Sequence, residues 1–358
     1  MKTRLPVRQA ILDRHTYEAP AEGREGKVRL DFNENTSGCS EAVRRALLKI
    51  SAKKLAMYPE YQQPTKRIAR HFGVRPEELL LANGGDDALR VFFDTFVEPA
   101  STVLICEPTF PMYRYYAEIA GAQIVALRYD PSMHFPLVDA LAAIRQRPRV
   151  LFLANPNNPT GTLIPPQEIR AILQAATDTA LVIDEAYAEF SGATVIPWIH
   201  EFPHLFVVRT FSKAAGLASL RLGAVFAHPA SLQLLRRAMP PYPVNLAALV
   251  AAEAALKNHA AIRKYVKSTL RIRQDFAVQL SKLGVTTYPS AGNFLLADFG
   301  PQGPALFDKL TRAGILVRER SKDIGPGFAR ISIGTKSEMA RTLSAIRNFA
   351  KKSGGRFF

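Results

Sequence analysis

Short runs of apolar residues, each breaking off into small, polar or proline residues, recur through the first two thirds of the chain. They lie at residues 79–82, 103–106, 124–127, 150–154, 180–183, 205–208 and 222–227. Runs of this length, rich in Val, Ile and Leu and lacking strict alternation, predict strands buried on both faces. Apolar positions return at helical spacing over 41–50, 65–72 and 169–176, the last preceded by Pro165-Pro166-Gln167-Glu168, a proline-and-acid helix start. Strands alternating with helices predict an α/β fold with a mostly parallel sheet covered on both sides. Pro240-Pro241-Tyr242-Pro243 is the clearest punctuation, ahead of an alanine-rich helix starting near Asn245. Beyond it, a long charged helix from about Ile262 and strands at 285–288, 294–298, 316–318 and 329–333 read as a smaller α+β unit. In the amino-terminal arm, Asp31-Phe32-Asn33-Glu34-Asn35 reads as a short strand and turn.

Four of the strand ends carry polar groups suited to one bound molecule, and open α/β sheets place their ligands at the carboxyl ends of their strands. Lys213 follows Arg209-Thr210-Phe211-Ser212. An amine at such a place is partly desolvated and near another cation, Arg221, and both influences lower its pKa and release a neutral nucleophile. Alone, a lysine after a strand is more often a solvated loop residue. Three other segments change that balance: Asn155-Pro156-Asn157-Asn158-Pro159-Thr160-Gly161, Asp184-Glu185-Ala186-Tyr187 and Asn83-Gly84-Gly85-Asp86. In the last, glycines open a helix, which allows close backbone approach at a terminus whose dipole favours an anion.

In the order Asn83 to Asp86, Pro108-Thr109-Phe110, Asn155 to Gly161, Asp184 to Tyr187, Ser212-Lys213 and Arg221, the chain resembles the fold-type I pyridoxal-phosphate enzymes, and within them the histidinol-phosphate aminotransferases. The likeness runs from about Leu30 to Gly334. It implies a large domain with a mostly parallel seven-stranded sheet, a smaller α+β domain, and pyridoxal 5'-phosphate as cofactor. By resemblance, Lys213 carries the cofactor as a Schiff base and then moves the substrate proton, and Asp184 holds the pyridine nitrogen protonated. Asn158 and Tyr187 match the groups that bond the ring oxygen, and Phe110 the aromatic stacked on the ring. Gly84, Gly85, Asp86, Thr210, Ser212 and Arg221 match the phosphate cup. Tyr58 matches a tyrosine that reaches the cofactor phosphate of a neighbouring subunit, which implies a homodimer. Arg330 matches the grip on a substrate carboxylate, Arg318 with Arg320 and Tyr17 is the candidate for a substrate phosphate, and Asn33 joins the substrate side. The implied division is an arm at 1–40 contributing to the small domain and the dimer, a large domain at 41–243, a small one at 244–350 and a flexible tail at 351–358.

The implied reaction moves an amino group from a small-molecule donor, L-histidinol phosphate or a related amine, to a 2-oxo acid acceptor, 2-oxoglutarate. An aromatic amino-acid transaminase, a lyase resembling threonine-phosphate decarboxylase and a non-enzymatic cofactor-binding regulator are the rivals. The chain departs from the family at Thr36 and Ser37, where a proline-containing turn is common, at Ser219 in place of a small glycine, and at Phe110 where tyrosine is frequent.

Composition narrows the classes further. At 358 residues and 47% hydrophobic there is ample material for a large core without staples. Two cysteines, Cys39 and Cys106, lack metal-like spacing and point to a reducing cytoplasm rather than a disulfide framework. His200 and His204 stand four apart, but Pro203 intervenes and no metal is expected. No apolar segment is long enough to span a bilayer. The formal charge of +16 is spread along the chain with no nucleic-acid reader module, so neither nucleic acid nor membrane is an expected partner.

Overall fold

The computed structural model describes residues 5–12, 22–352 and 357. Twelve strands form two sheets: β1 (Val28–Leu30), β2 (Leu79–Ala82), β3 (Thr102–Glu107), β4 (Gln123–Arg128), β5 (Val150–Ala154), β6 (Ala180–Asp184), β7 (Leu205–Thr210), β8 (Gly223–Ala227), β9 (Thr286–Thr287), β10 (Phe294–Asp298), β11 (Ile315–Glu319) and β12 (Phe328–Ser332). The larger sheet has seven strands in the order β2-β8-β7-β6-β5-β3-β4. All run parallel except β8, which is antiparallel to both its neighbours.

The absence of alternation in the apolar runs has a direct cause. Leu104, Leu151, Leu153, Leu181 and Ile183 point into one core, while Val103, Ile105, Val150, Phe152 and Val182 from the same strands point into another. Helices cover both faces, Gly84–Phe96 and Met112–Ala120 on one, Pro166–Ala175 and Leu246–Lys257 on the other. The inner strands therefore bury both sets of side chains, whereas β4, expected from its apolar run to be buried on both faces, is an edge strand with Val125 exposed.

The smaller sheet has the order β1-β11-β12-β10-β9 and is antiparallel apart from the β1–β11 pair. It rests on His259–Ser281, Gly303–Arg312 and Lys336–Lys352 through Phe276, Leu280, Leu306, Leu310 and Ile346. The amino-terminal segment thus enters the sheet built by the last third of the chain.

Two expectations change. The first strand is Val28–Leu30 rather than 31–35. Arg24 grips the Asp31 carboxylate from Nε at 3.2 Å and Nη2 at 2.7 Å, and Asn33 turns left-handed at φ 54°, so the chain leaves the sheet there. In the carboxyl-terminal tail, of which only 351, 352 and 357 are described, Phe357 is buried against Phe299 and its amide donates to the Leu283 carbonyl at 3.1 Å, so at this residue the expectation of flexibility changes. An aromatic side chain at the end of a polar tail finds apolar surface to cover. Among the described residues, no helix is long and apolar enough to cross a membrane.

Candidate active site

The carboxyl ends of β5, β6 and β7 open into a cavity of about 660 Å³ whose far wall is made by β11 and β12. Lys213 lies just past β7, and its Nζ donates to the Phe32 carbonyl at 2.8 Å. Burial, and after it the Arg330 charge, lowers its pKa to about 8. Asp184 is the last residue of β6. Burial raises its pKa to about 6, partly offset by the Tyr113 hydroxyl donating to Oδ2 at 2.8 Å and the Ala186 amide donating to Oδ1 at 3.0 Å. Two groups of opposite charge are thus both pushed towards neutrality by removal of water.

The loop after β5 is held by its own amides. Asn157 accepts from Thr109 Oγ1 at 2.7 Å and donates to the Pro108 carbonyl and Thr160 Oγ1, both at 2.9 Å. These bonds tie it to the segment carrying Phe110 and leave the neighbouring Asn158 facing the cavity. Asn158 Oδ1 accepts from Arg330 Nη1 at 2.5 Å. Tyr187 lines the same side, its ring edge-on to Phe294 and its hydroxyl accepting from Asn33 Nδ2 at 2.9 Å. Burial raises the Tyr187 pKa, with the Arg330 charge acting against it.

At one end of the cavity the backbone is unusually close-packed. Gly84 has φ of +87°, and a Cβ there would lie 2.6 Å from Arg221 Nη2. A Cβ on Gly223 would lie 2.5 Å from the Gly84 carbonyl carbon. Glycine at these two positions lets β8, the start of the Gly84–Phe96 helix and Arg221 converge. Arg221 donates to Asp86 Oδ2 at 2.8 Å, and Thr210 Oγ1 donates to Ser212 Oγ at 3.0 Å while accepting the Ser212 amide at 3.1 Å. A helix start, a guanidinium and two hydroxyls in one corner suit an anion.

The far wall is cationic. Arg318 and Arg330 are direct cross-strand partners on β11 and β12, and Arg320 lies two residues further along the same face. Like charges placed opposite each other repel. Arg330 is lowered to about 10, chiefly by burial, with Arg320 and Arg318 adding to the effect. Its Nη2 donates to the Asp31 carbonyl, but its buried Nε has no hydrogen-bond partner. Arg320 pairs with Asp323. Glu34, gripped by Arg24 at 2.7 Å and Arg29 at 2.5 Å, also lines the cavity.

Of the residues singled out from the sequence, Gly85, Asp86, Phe110, Asn158, Asp184, Tyr187, Thr210, Ser212, Lys213, Arg221, Arg318 and Arg330 line this one cavity. Gly84 lies directly behind, under Arg221. Asn33, expected on the substrate side, does not reach the lining; it is fully buried between Tyr187 and Ser332, accepting from Ser332 Oγ at 2.8 Å. Tyr58 is 76% exposed, stacked on Tyr242 at 4.2 Å and away from the cavity. Tyr17 falls outside the described residues. Sequence reasoning did not find Tyr113, although it stands three residues after Phe110, nor Glu34, although it is the acid within Asn33-Glu34-Asn35.

The sequence matches the aminotransferase class I and II family over residues 25–346. A histidinol-phosphate aminotransferase of Geobacillus sp. is 35% identical over 332 residues, covering 91% of this chain and 90% of its own. One of Anoxybacillus flavithermus is 33% identical over 335 residues, covering 92% and 90%. The crystal structure of the Sinorhizobium meliloti histidinol-phosphate aminotransferase in complex with pyridoxal-5'-phosphate superposes with a TM-score of 0.91 at 26% identity, covering 99% of each chain.

Proposed function

Because the chain belongs to the aminotransferase class I and II family, we propose that it is a pyridoxal 5'-phosphate-dependent aminotransferase moving the amino group of L-histidinol phosphate to 2-oxoglutarate. The observation that carries this reading is the meeting, in one cavity, of the buried Lys213 amine and Asp184 carboxylate with a facing wall of guanidinium groups. The cofactor fits the donor set: a glycine-lined anion corner at Gly84, Phe110 for the ring face, and a carboxylate for the ring nitrogen. Bound there, it supplies an electron sink for the pair left behind when the substrate loses its α-proton.

The rest is the work of the protein's own side chains. Lys213, with a pKa near 8, has a substantial neutral fraction at pH 7 to 8, so the amine can attack a carbonyl and then hold and return a proton. Asp184 would face the ring nitrogen with negative charge and favour its protonated form. Asn158 and Tyr187 would donate to the ring oxygen. The backbone amides of Gly85 and Asp86, with Thr210, Ser212 and Arg221, would hold the phosphate.

Arg330 would offer its guanidinium to the carboxylate of the 2-oxo acid as a charge-assisted partner. Arg318 receives the phosphate of histidinol phosphate, and the acceptor's distal carboxylate can use the same group. An anion between Arg318 and Arg330 would relieve the repulsion built into their register. Tyr58 and Tyr242 stack on each other while more than half exposed, which supports a homodimer in which Tyr58 of the partner subunit completes the phosphate corner. Such chemistry, with Cys39 and Cys106 unpaired, suits the cytoplasm.

The test is a half-reaction screen: candidate amines are added to the cofactor-loaded protein and conversion of the cofactor to pyridoxamine phosphate is followed by absorbance. Histidinol phosphate should convert it fastest. Faster conversion by phenylalanine would make the protein an aromatic transaminase, and carbon dioxide release from threonine phosphate would make it a lyase.

A further inference from the structure

Tyr113 sits in the first turn of the Met112–Ala120 helix and is completely buried. Its ring stacks on Phe152 at 5.3 Å with planes 14° apart and meets Phe110 edge-on at 5.7 Å. Aromatic contacts on two sides fix both of its side-chain torsions, and they aim its hydroxyl at one acceptor, Asp184 Oδ2, at 2.8 Å. The other carboxylate oxygen is fixed by the Ala186 amide at 3.0 Å. A buried tyrosine hydroxyl with an apolar surround needs its partner, and a buried carboxylate needs its donors.

We infer that Tyr113 is the positioning residue of this site, holding Asp184 ionised and in one orientation by donating a neutral hydrogen bond, so that the carboxylate's remaining lone pairs face the nitrogen of a heteroaromatic ring. The inference rests on the reading of the cavity as a pyridoxal-phosphate site, and it assigns work to a residue that does not itself touch the reacting atoms.

Little else in the site keeps Asp184 charged. Burial works strongly against ionisation, and the Asp86 carboxylate adds to that opposition. Lys213 helps only as the last and smallest influence, and the neutral form it needs for catalysis offers no charge at all. The Tyr113 bond is the largest favourable influence on the carboxylate. A phenol suits the task because burial and the neighbouring carboxylate push its own pKa well above the usual value, so the proton stays on the tyrosine and the negative charge stays on Asp184. A charged donor would hold the carboxylate more tightly but would compete with the ring nitrogen for its negative charge. A neutral donor orients without competing.

The substitution Tyr113→Phe removes the hydroxyl and keeps the ring between Phe152 and Phe110, so circular dichroism should be unchanged. Two readouts are followed on the full chain. In the cofactor-free protein the Asp184 carboxyl carbon is titrated by ¹³C NMR, and its midpoint should rise by about one pH unit, a tenfold loss of preference for the charged form. A site-specific 3-fluorotyrosine at 113, whose more acidic phenol donates more strongly, should move the midpoint in the opposite direction. In the loaded protein carrying a ¹⁵N-labelled pyridine ring, the ring-nitrogen shift of Tyr113→Phe should move towards the unprotonated value while the cofactor stays bound. An Asp184 midpoint identical in wild type, Tyr113→Phe and the fluorinated protein would overturn the inference. Failure of the wild-type chain to take up the cofactor would instead strike the reading of the site, with the cofactor-free titration still deciding the role of Tyr113.

Discussion

The floor of the cavity and its far wall are built by different rules. On the floor, Asp184 ends one strand of the mostly parallel sheet and Lys213 follows another, and each is pushed towards neutrality by burial. On the wall, Arg318 and Arg330 face each other across an antiparallel pair, with Arg320 just beyond it. The floor carries groups whose proton affinities are tuned for chemistry, whereas the wall carries fixed charge that waits for an anion. We take the floor to set the reaction and the wall to set the substrate.

The largest effect should come from the floor. Lys213→Ala removes nucleophile and base together, and turnover should fall by at least about 10⁴-fold, while cofactor uptake, followed by absorbance of dialysed protein, remains detectable. Turnover near wild type would remove Lys213 from the mechanism.

Next comes the deepest residue of the wall. Arg330→Ala should cost the half-reaction with 2-oxoglutarate roughly a hundredfold, about 3 kcal/mol, as expected for a charge-assisted fork, measured as single-turnover return of the cofactor to its aldehyde form. An undiminished rate would place the acceptor carboxylate elsewhere.

The floor should also show a stability cost. The folded pKa of Asp184, about 6, lies above the usual carboxylate value, so the folded state binds the extra proton. That contribution to stability is complete below about pH 4 and is lost as pH rises through 6, a difference of about 3 kcal/mol in cofactor-free protein. Asp184→Asn should therefore be the more stable protein in urea at pH 8, with the advantage shrinking towards pH 4. A constant difference across that range would show that the carboxylate is not held against its solvation.

The same contrast explains what could be read from the sequence. Floor residues sit in contiguous motifs at the ends of apolar runs, so Asp184, Asn158 and Lys213 stand out once the motifs are taken together and matched to the family. Arg318 and Arg330 meet only through the β11–β12 register, and a shift of one residue would turn one of them to the other face of the sheet. Asn33 illustrates the limit: its place is fixed by Ser332, 299 residues away, through the docking of β1 in the second sheet. The family resemblance put it near the substrate, and long-range packing put it behind Tyr187. Tyr113 and Phe357 were missed for a related reason, since an aromatic residue in a helix or tail has no periodicity that announces its partner.

The most direct test of the division between floor and wall is Arg318→Ala, assayed by single-turnover half-reactions with histidinol phosphate and with phenylalanine on the same cofactor-loaded protein. The phosphorylated donor should lose about tenfold, near 1.4 kcal/mol, and phenylalanine, which lacks a phosphate, should not change. Equal losses for both donors would mean that Arg318 serves the chemistry rather than the substrate, and no loss for either would put the phosphate somewhere other than the wall.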